Sequence, residues 1–186
     1  MLNKFLNSIL VVFFLCSLSS CSQSNRHIRK GVECIFNCTI ALPDTMIMIC
    51  DGEKHIVSTH QYNCAHKLLF YYSPQECSTC AVSSLSEFEP LFRLDSKLKD
   101  FRLIVLFIPK PEDLHTLIEK LENKKYPNPV FIDYRDDFTK LNPSLPEDRI
   151  FHSILIDGSG NPLLVGNPMY SDSLWRMFTN IINYTS

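Results

Sequence analysis

One stretch of the sequence decides the fold: Lys67-Leu-Leu-Phe-Tyr-Tyr72, then Ser73-Pro-Gln-Glu76, then Cys77-Ser-Thr-Cys80. The first six residues are mostly apolar and aromatic, which predicts a short buried strand. Ser73-Pro74 ends that strand. From Cys77 to about residue 94 apolar residues recur at helical spacing, at Leu85, Phe88, Leu91 and Phe92. The two cysteines are therefore predicted at a junction between a strand and a helix.

Strands and helices alternate from this junction to the end of the chain. The predicted elements are strands at 102–108 and 130–132, a helix at 111–123, a hairpin at 153–165 and a last helix from Ser171 or Asp172. Gly158-Ser159-Gly160-Asn161 supplies the hairpin turn. Pro90 should kink or end the first helix, unless it opens a second one. The order β-α-β-α-β-β-α predicts an α/β domain with a central mixed sheet flanked by helices.

The residues before this domain are also predicted to form strands. Strand patterns cover Cys34-Ile35-Phe36, residues 46–50 and residues 55–57, with turns at Pro43-Asp44 and Asp51-Gly52. Together with the segments at the start of the chain, this predicts four parts. They are a signal peptide at 1–20, a tether at 21–32, an N-terminal β extension at 33–63 and the α/β domain at 64–186.

The first twenty residues are predicted to be a targeting segment. Lys4 supplies a short positive region, and the apolar stretch 5–18 is shorter than the roughly 20 residues that a spanning helix needs. Leu18-Ser19-Ser20-Cys21 resembles a bacterial lipobox, which implies that Cys21 is lipidated. The alternative is an ordinary secretory signal cut near Ser20. The lipobox implies a lipid-anchored protein of the bacterial cell envelope that faces the periplasm, on either the inner or the outer membrane.

Composition and charge exclude some classes of function. Hydrophobic residues make up 45% of the chain and charged residues 20%, which is ordinary for a globular protein. The formal net charge is −2 and no run of five or six basic residues occurs, so nucleic acid is a poor candidate partner. The membrane, through the N-terminal lipid, is an expected partner. The sequence predicts no cofactor and no bound metal.

Eight cysteines are an unusual number for a chain of this length. Besides Cys16 in the signal and Cys21 at the lipobox, the chain has Cys34, Cys38, Cys50, Cys64, Cys77 and Cys80. An even set in an exported chain is typical of disulfides. If Cys34 and Cys38 share one strand, their Cα atoms are about 13 Å apart, beyond the roughly 7 Å disulfide limit. They would then pair with Cys50 and Cys64, or some would stay free and buried.

Cys77 and Cys80 are the candidate catalytic residues. A helix N-terminus favours the thiolate, so Cys77 at the first turn would be exposed and would attack a substrate disulfide. Cys80, one turn further and more buried, would resolve the mixed disulfide. The alternatives are an inert disulfide, reduced thiols, or a zinc site with Cys34 and Cys38. A disulfide here closes almost no loop and stabilises little, and a Cys-x3-Cys on a strand spaces zinc ligands badly.

Two segments resemble a known family. Residues 69–80 look like the active-site segment of thioredoxin-like proteins of the TlpA kind, and residues 153–160 are similar to that family's Leu-Ile-Asp-x-x-Gly. The whole chain resembles a group of thioredoxin-fold lipoproteins from anaerobic Gram-negative bacteria, whose Gly-Asn-Pro is matched by Gly166-Asn167-Pro168. The resemblance implies a membrane-tethered periplasmic thiol–disulfide oxidoreductase that acts on protein thiols or disulfides. The alternative is a non-catalytic lipoprotein of this fold that binds a protein partner.

The chain departs from that family around the disulfide. Glu76 replaces the usual Trp, and a carboxylate beside Cys77 opposes thiolate formation. Phe151 replaces a cis-proline and is expected to be trans, because a non-proline cis bond costs about 3 kcal/mol. We expect Phe151 to cover part of Cys77 and to form the substrate-binding edge with His152. His152 would contact the thiols, or it is only a partly exposed residue at the end of a strand. No acidic residue can be assigned as the buried base beneath Cys80.

Overall fold

Residues 25–183 are described by the computed structural model, and their strands form one seven-stranded sheet. The strands are β1 (Thr45–Cys50), β2 (Glu53–Ser58), β3 (His66–Tyr72), β4 (Phe101–Phe107), β5 (Val130–Ile132), β6 (Ser153–Asp157) and β7 (Pro162–Val165). Their order across the sheet is β2-β1-β5-β4-β3-β6-β7. The central strands β3, β4 and β5 run parallel to one another. These strands are buried almost throughout, as expected for parallel strands that helices cover on both faces.

Two antiparallel hairpins complete the sheet. β1 and β2 are joined at Asp51-Gly52, whose φ angles of 51° and 80° are those that a type I′ turn requires. This hairpin pairs with β5 through β1, and the hairpin of β6 and β7 pairs with β3 through β6. The β extension predicted at 33–63 therefore contributes two strands to the sheet of the α/β domain. The division of the chain into four parts stays a prediction.

Six α-helices lie among the described residues. They are α1 (residues 25–36), α2 (Ser78–Ala81), α3 (Glu89–Asp95), α4 (Leu114–Lys124), α5 (Asp137–Leu141) and α6 (Asp172–Asn183). A 3₁₀ segment, Val82–Phe88, connects α2 to α3. Pro90 stands in the first turn of α3, where its missing N–H leaves no helical hydrogen bond unmade, so it opens a second helix. None of the helices between residues 25 and 183 is long and apolar enough to cross a membrane.

Helix α1 corrects one expectation. Cys34-Ile35-Phe36 was predicted as a strand, but these residues end a helix that also includes residues 25–32 of the predicted tether. Ile35 is fully buried, and one turn earlier Gly31 lies so close to the Phe151 ring that a methyl group there would overlap it. Packing of this face on the domain outweighs the β propensity of three residues, because local propensity is a weak preference. Residues 21–24 of the predicted tether lie outside the described residues.

The hydrophobic core has two parts, one on each face of the sheet. The first contains buried residues of α3, α4 and α6 against one face, and the second contains Ile35 of α1, Phe138 of α5 and Phe151 against the other. Leu117 and Leu121 are buried in α4 and Phe178 and Ile182 in α6, as the helical spacing of apolar residues predicted. This element order and sheet topology, with the cysteines after β3, is the thioredoxin-like fold.

Candidate functional site

Cys77 and Cys80 form a disulfide at the carboxyl end of β3. Their Cα atoms are 5.2 Å apart, and Cys77 is the N-cap residue of α2. The backbone N–H of Cys80 donates to Cys77 Sγ at 3.3 Å, and both cysteines are exposed. A free N–H at a helix start stabilises negative charge on a sulfur atom that it faces. The arrangement therefore gives Cys77 both access to solvent and a hydrogen-bond donor for its thiolate.

The exposure of Cys80 differs from the prediction. Cys80 was expected to be more buried than Cys77, yet in this short helix the buried residue is Ser78. Helix α2 has four residues and passes directly into the 3₁₀ segment, so the turn that carries Cys80 stays on the open side of the molecule. A partner sulfur can therefore reach either cysteine from solvent.

The carboxylate of Glu76 contacts Arg149 and His152, which stand just before β6. Glu76 Oε2 accepts hydrogen bonds from the backbone N–H of Ser73 at 2.8 Å and from His152 Nδ1 at 2.8 Å. Its Oε1 lies 3.3 Å from Nε of Arg149. Burial alone would raise the pKa of Glu76, but the hydrogen bonds from His152 and Ser73 and the nearby charges outweigh it, so this pKa lies below its ordinary value. Glu76 is thus an anion that three groups stabilise: the N–H of Ser73, the ring of His152 and the guanidinium of Arg149.

His152 is buried between Glu76 and Tyr71. Only 5% of the residue is exposed, and its ring stacks on the Tyr71 ring with 4.2 Å between centroids. Since an ionised carboxylate can only accept, His152 Nδ1 carries the proton in the bond to Glu76. His152 was considered as a contact of the thiols, whereas in the structure its polar partner is the residue before Cys77. Through these two contacts, His152 holds the segment from Tyr71 to Glu76 against the start of β6.

Phe151 does not cover Cys77. The residue is 1% exposed, and its ring lies in the core under α1, 5.8 Å from the ring of His27 and against Gly31. Every peptide bond among residues 25–183 is trans, as expected for Phe151. The assignment of Phe151 to the substrate-binding edge stays a prediction, but its ring does not lie over Cys77, because it packs on the face of the sheet opposite to Ala81 of α2. The sequence could not reveal this, since the helix that receives the ring was predicted as a tether and a strand.

Two adjoining cavities flank the disulfide. The one that we name the sulfur cavity has a volume of about 280 Å³ and is lined by Tyr72, Glu76, Cys77, Cys80, Ala81, Ser84 and Arg149. Burial, against the charge of Arg149, raises the pKa of Tyr72 to about 12, so its hydroxyl stays a hydrogen-bond donor at neutral pH. The sequence gives no signal for Arg149, because it lies between the strand predicted at 130–132 and the hairpin predicted at 153–165, where no periodic pattern occurs. The second cavity, which we name the aromatic cavity, has a volume of about 490 Å³.

The other four cysteines of the described residues are free thiols, each partly buried. Of the two possibilities for these residues, the pairing of Cys34 and Cys38 with Cys50 and Cys64 is therefore wrong, and free cysteines are what the structure contains. The premise of the pairing was that Cys34 and Cys38 share a strand, but Cys34 lies in the last turn of α1 and Cys38 two residues beyond it. Burial raises the pKa of Cys50 and of Cys64, with nearby Asp51 adding to the effect at Cys50.

No cluster of three or more potential metal ligands occurs within residues 25–183. The four cysteines weighed as a zinc site are divided between two places. Cys77 and Cys80 bond to each other, while the thiol of Cys34 donates to the carbonyl of Ser144 and that of Cys38 to the carbonyl of Cys34. Cys21, the predicted lipidation residue, lies outside the described residues.

The chain is similar to known proteins in three-dimensional structure, and not in sequence. No family model and no curated protein matches the chain. Solved structures similar to it include a candidate thiol:disulfide interchange protein DsbE from Chlorobium tepidum, at 15% identity and a TM-score of 0.49, covering 77% of this chain and 95% of that one. The thioredoxin domain of a thiol-disulfide oxidoreductase from Bacteroides vulgatus is 22% identical, with a TM-score of 0.44 over 78% of this chain and 98% of that one. An uncharacterised thioredoxin-like protein from Porphyromonas gingivalis is 12% identical, with a TM-score of 0.45 over 78% and 92%.

Proposed function

We propose that the protein is a thiol–disulfide oxidoreductase in which Cys77 attacks and Cys80 resolves. One observation carries the proposal: an exposed Cys77–Cys80 disulfide stands at the start of the helix after β3, with the N–H of Cys80 directed at Cys77 Sγ. The thiolate is the reactive form of cysteine, and this donor favours the thiolate at Cys77 rather than at Cys80. Protein thiols or disulfides are the substrates that such a pair would serve.

The reaction is a transfer of two electrons. In the reductive direction the Cys77 thiolate attacks one sulfur of a substrate disulfide, that bond breaks, and the leaving sulfur takes a proton from water. The Cys80 thiolate then attacks Cys77 Sγ in the mixed disulfide, and the second substrate sulfur leaves as a thiol. The protein ends with the Cys77–Cys80 bond and the substrate with two thiols. A dithiol reductant restores the starting state, and the same steps in reverse oxidise a substrate dithiol.

Insulin reduction with dithiothreitol tests the proposal on the purified full chain. The expected result is precipitation of the insulin B chain faster than with dithiothreitol alone. The variant Cys80→Ser should accumulate a mixed disulfide between Cys77 and the substrate, because the resolving thiol is missing. The matched control Cys64→Ser should accumulate none. Absence of both catalysis and the trapped species would contradict the proposal and leave a non-catalytic module that binds a protein partner.

We further propose that Cys21 carries a lipid that tethers the domain to a membrane of the bacterial cell envelope, with the domain in the periplasm. The support is the apolar stretch 5–18 followed by Leu18-Ser19-Ser20-Cys21. Several acyl chains on one residue would satisfy the rule that stable anchoring takes more than one chain. Palmitate labelling should be lost in Cys21→Ala and kept in Cys16→Ala, the matched control. Label retained by Cys21→Ala would exclude the anchor.

A further inference from the structure

The aromatic cavity lies beside the disulfide, between the 3₁₀ segment after α2 and the start of α6. Its wall is mostly apolar and includes the side chains of Phe70, Tyr72, Phe88, Met169 and Leu174. Its volume of about 490 Å³ falls within the range of roughly 300–1,000 Å³ of cavities that hold ligands. The cavity therefore has the size and the lining to receive a large apolar group.

Two residues of the lining, Tyr71 and Ser153, have a buried hydroxyl without a partner. Ser153 is 5% exposed, and its Oγ makes no hydrogen bond with any described residue. Ser153 pairs with Phe70 across β6 and β3, so the two side chains stand on the same face of the sheet, the face that bounds the cavity. A buried hydroxyl without a partner is unfavourable, because it has lost its hydrogen bonds to water and gained none in the protein. A ligand atom that donates to or accepts from Ser153 would remove this cost.

The aromatic cavity continues into the sulfur cavity, because Tyr72, Glu76, Ser84 and Arg149 line both. Neighbouring residues of a polypeptide are 3.8 Å apart at their Cα atoms. A substrate bonded through its cysteine to Cys77 can thus place an adjacent side chain in the aromatic cavity. The carboxylates and guanidinium groups of this lining are those of Glu76, Glu87 and Arg149. Because two of these three groups are anionic, a further negative charge is disfavoured.

We propose that the aromatic cavity binds an uncharged aromatic side chain with a polar tip, of which tyrosine is the natural case, next to the reacting cysteine of the substrate. The rings of Phe70, Tyr72 and Phe88 contact the aromatic group, and Ser153 Oγ forms a hydrogen bond with its polar tip. This inference rests on the proposed oxidoreductase function and names its substrate class. The cavity selects among protein disulfides through the residue beside the cysteine.

Reduction of short peptide disulfides that differ only at this residue tests the inference. The peptides carry Tyr, Phe, Ala or Glu before or after the cysteine, and bis(2-hydroxyethyl) disulfide serves as a substrate with no side chain. We expect kcat/KM to fall in the order Tyr, Phe, Ala, Glu. Tyr should exceed Phe by about three- to tenfold, the worth of one hydrogen bond.

The variant Ser153→Ala isolates the contribution of the hydroxyl. It should abolish the preference for Tyr over Phe and leave the preference for Phe over Ala. Since the replaced hydroxyl has no partner, the variant is not expected to lose stability. Ser83→Ala, an exposed residue outside both cavities, is the matched control and should keep the full order.

The outcomes separate the two proposals. If all peptides react as fast as bis(2-hydroxyethyl) disulfide, the inference is wrong and the oxidoreductase function stands. If no disulfide reacts, both are wrong. If N-acetyltyrosinamide inhibits bis(2-hydroxyethyl) disulfide reduction while the peptides show no preference, the cavity binds a free aromatic molecule instead of a substrate side chain, and the inference is again overturned.

Discussion

Two pairs of closely spaced cysteines occupy opposite ends of helices. Cys77 and Cys80 lie at the start of α2, where a backbone N–H donates to a sulfur atom. Cys34 lies in the last turn of α1 and Cys38 two residues beyond it. The thiol of Cys38 donates to the carbonyl of Cys34 at this helix end, and the thiol of Cys34 donates to the carbonyl of Ser144, both at 3.1 Å. Helix starts present unpaired N–H groups and helix ends unpaired carbonyls. The backbone thus offers the first pair an N–H donor, which a thiolate can accept from, and the second pair carbonyl acceptors, to which S–H groups donate, although both are pairs of cysteines near a helix end.

The largest expected effect is the loss of insulin reduction when the first cysteine of the disulfide pair is replaced, compared with replacement of the first cysteine of the other pair. Cys77→Ser should lower the rate of insulin reduction by about a thousandfold or more, since the nucleophile is lost. Cys34→Ser should change this rate by less than about twofold, because a hydroxyl can donate to the carbonyl of Ser144 as the thiol does. Equal losses in the two variants would show that the contrast between the pairs does not govern the chemistry.

We expect the packing of Phe151 under α1 to contribute to the stability of the fold and not to the disulfide reaction. Phe151→Ala should lower the free energy of unfolding by about 3–5 kcal/mol, as measured in urea, because a fully buried ring is removed from the core. Under conditions in which Phe151→Ala is folded, it should reduce bis(2-hydroxyethyl) disulfide at the rate of the unaltered protein. A gain in rate would instead place Phe151 over the disulfide.

Alkylation of the reduced protein compares all the thiols directly. With limiting iodoacetamide at pH 7, Cys77 should react about tenfold or more faster than Cys34 and Cys38, by peptide mapping. Cys50 and Cys64 should also lag, since burial raises the pKa of each thiol, and their rates should still rise above pH 9. Labelling of Cys80 before Cys77 would reverse the assigned roles.

The smallest expected effect concerns the carboxylate beside Cys77. Glu76→Gln removes a negative charge from the residue before the sulfur, so the pH of half-maximal alkylation of Cys77 should fall by about half a unit to one unit. Glu53→Gln, an exposed residue of β2, is the control and should leave this pH unchanged. An upward shift in Glu76→Gln would mean that the carboxylate assists thiolate formation.

Glu76 also contributes to acid stability. Its pKa in the folded protein lies below the ordinary value of 4.5, so the ionised group stabilises the fold above that pH. This contribution is lost as the pH falls below 4.5 through the folded value. The melting temperature of the unaltered protein should therefore drop more steeply than that of Glu76→Gln between pH 5 and pH 3, by circular dichroism.

Local patterns were sufficient for the parts of this fold that are local. The apolar run before Ser73-Pro74, the helical spacing after Cys77 and the Asp51-Gly52 turn predict elements that the structure contains. They also predict the disulfide pair at the junction of β3 and α2, because the order of strands and helices is read directly along the chain. The sequence pattern at residues 34–36 failed, since three residues carry too little periodicity to separate a strand from the end of a helix.

The chemical surroundings of the disulfide were decided by tertiary structure alone. His152 reaches Glu76 across 76 positions of sequence, and Gly31 receives the ring of Phe151 from the far end of the chain. Neither contact produces a spacing or a motif that could be recognised in the sequence, because each depends on how the start of β6 packs against β3 and α1. The sequence by itself determined the order of elements and where the sulfur pair lies in it. Packing decided which side chains face the sulfur atoms, because such contacts form only when segments distant in sequence fold together.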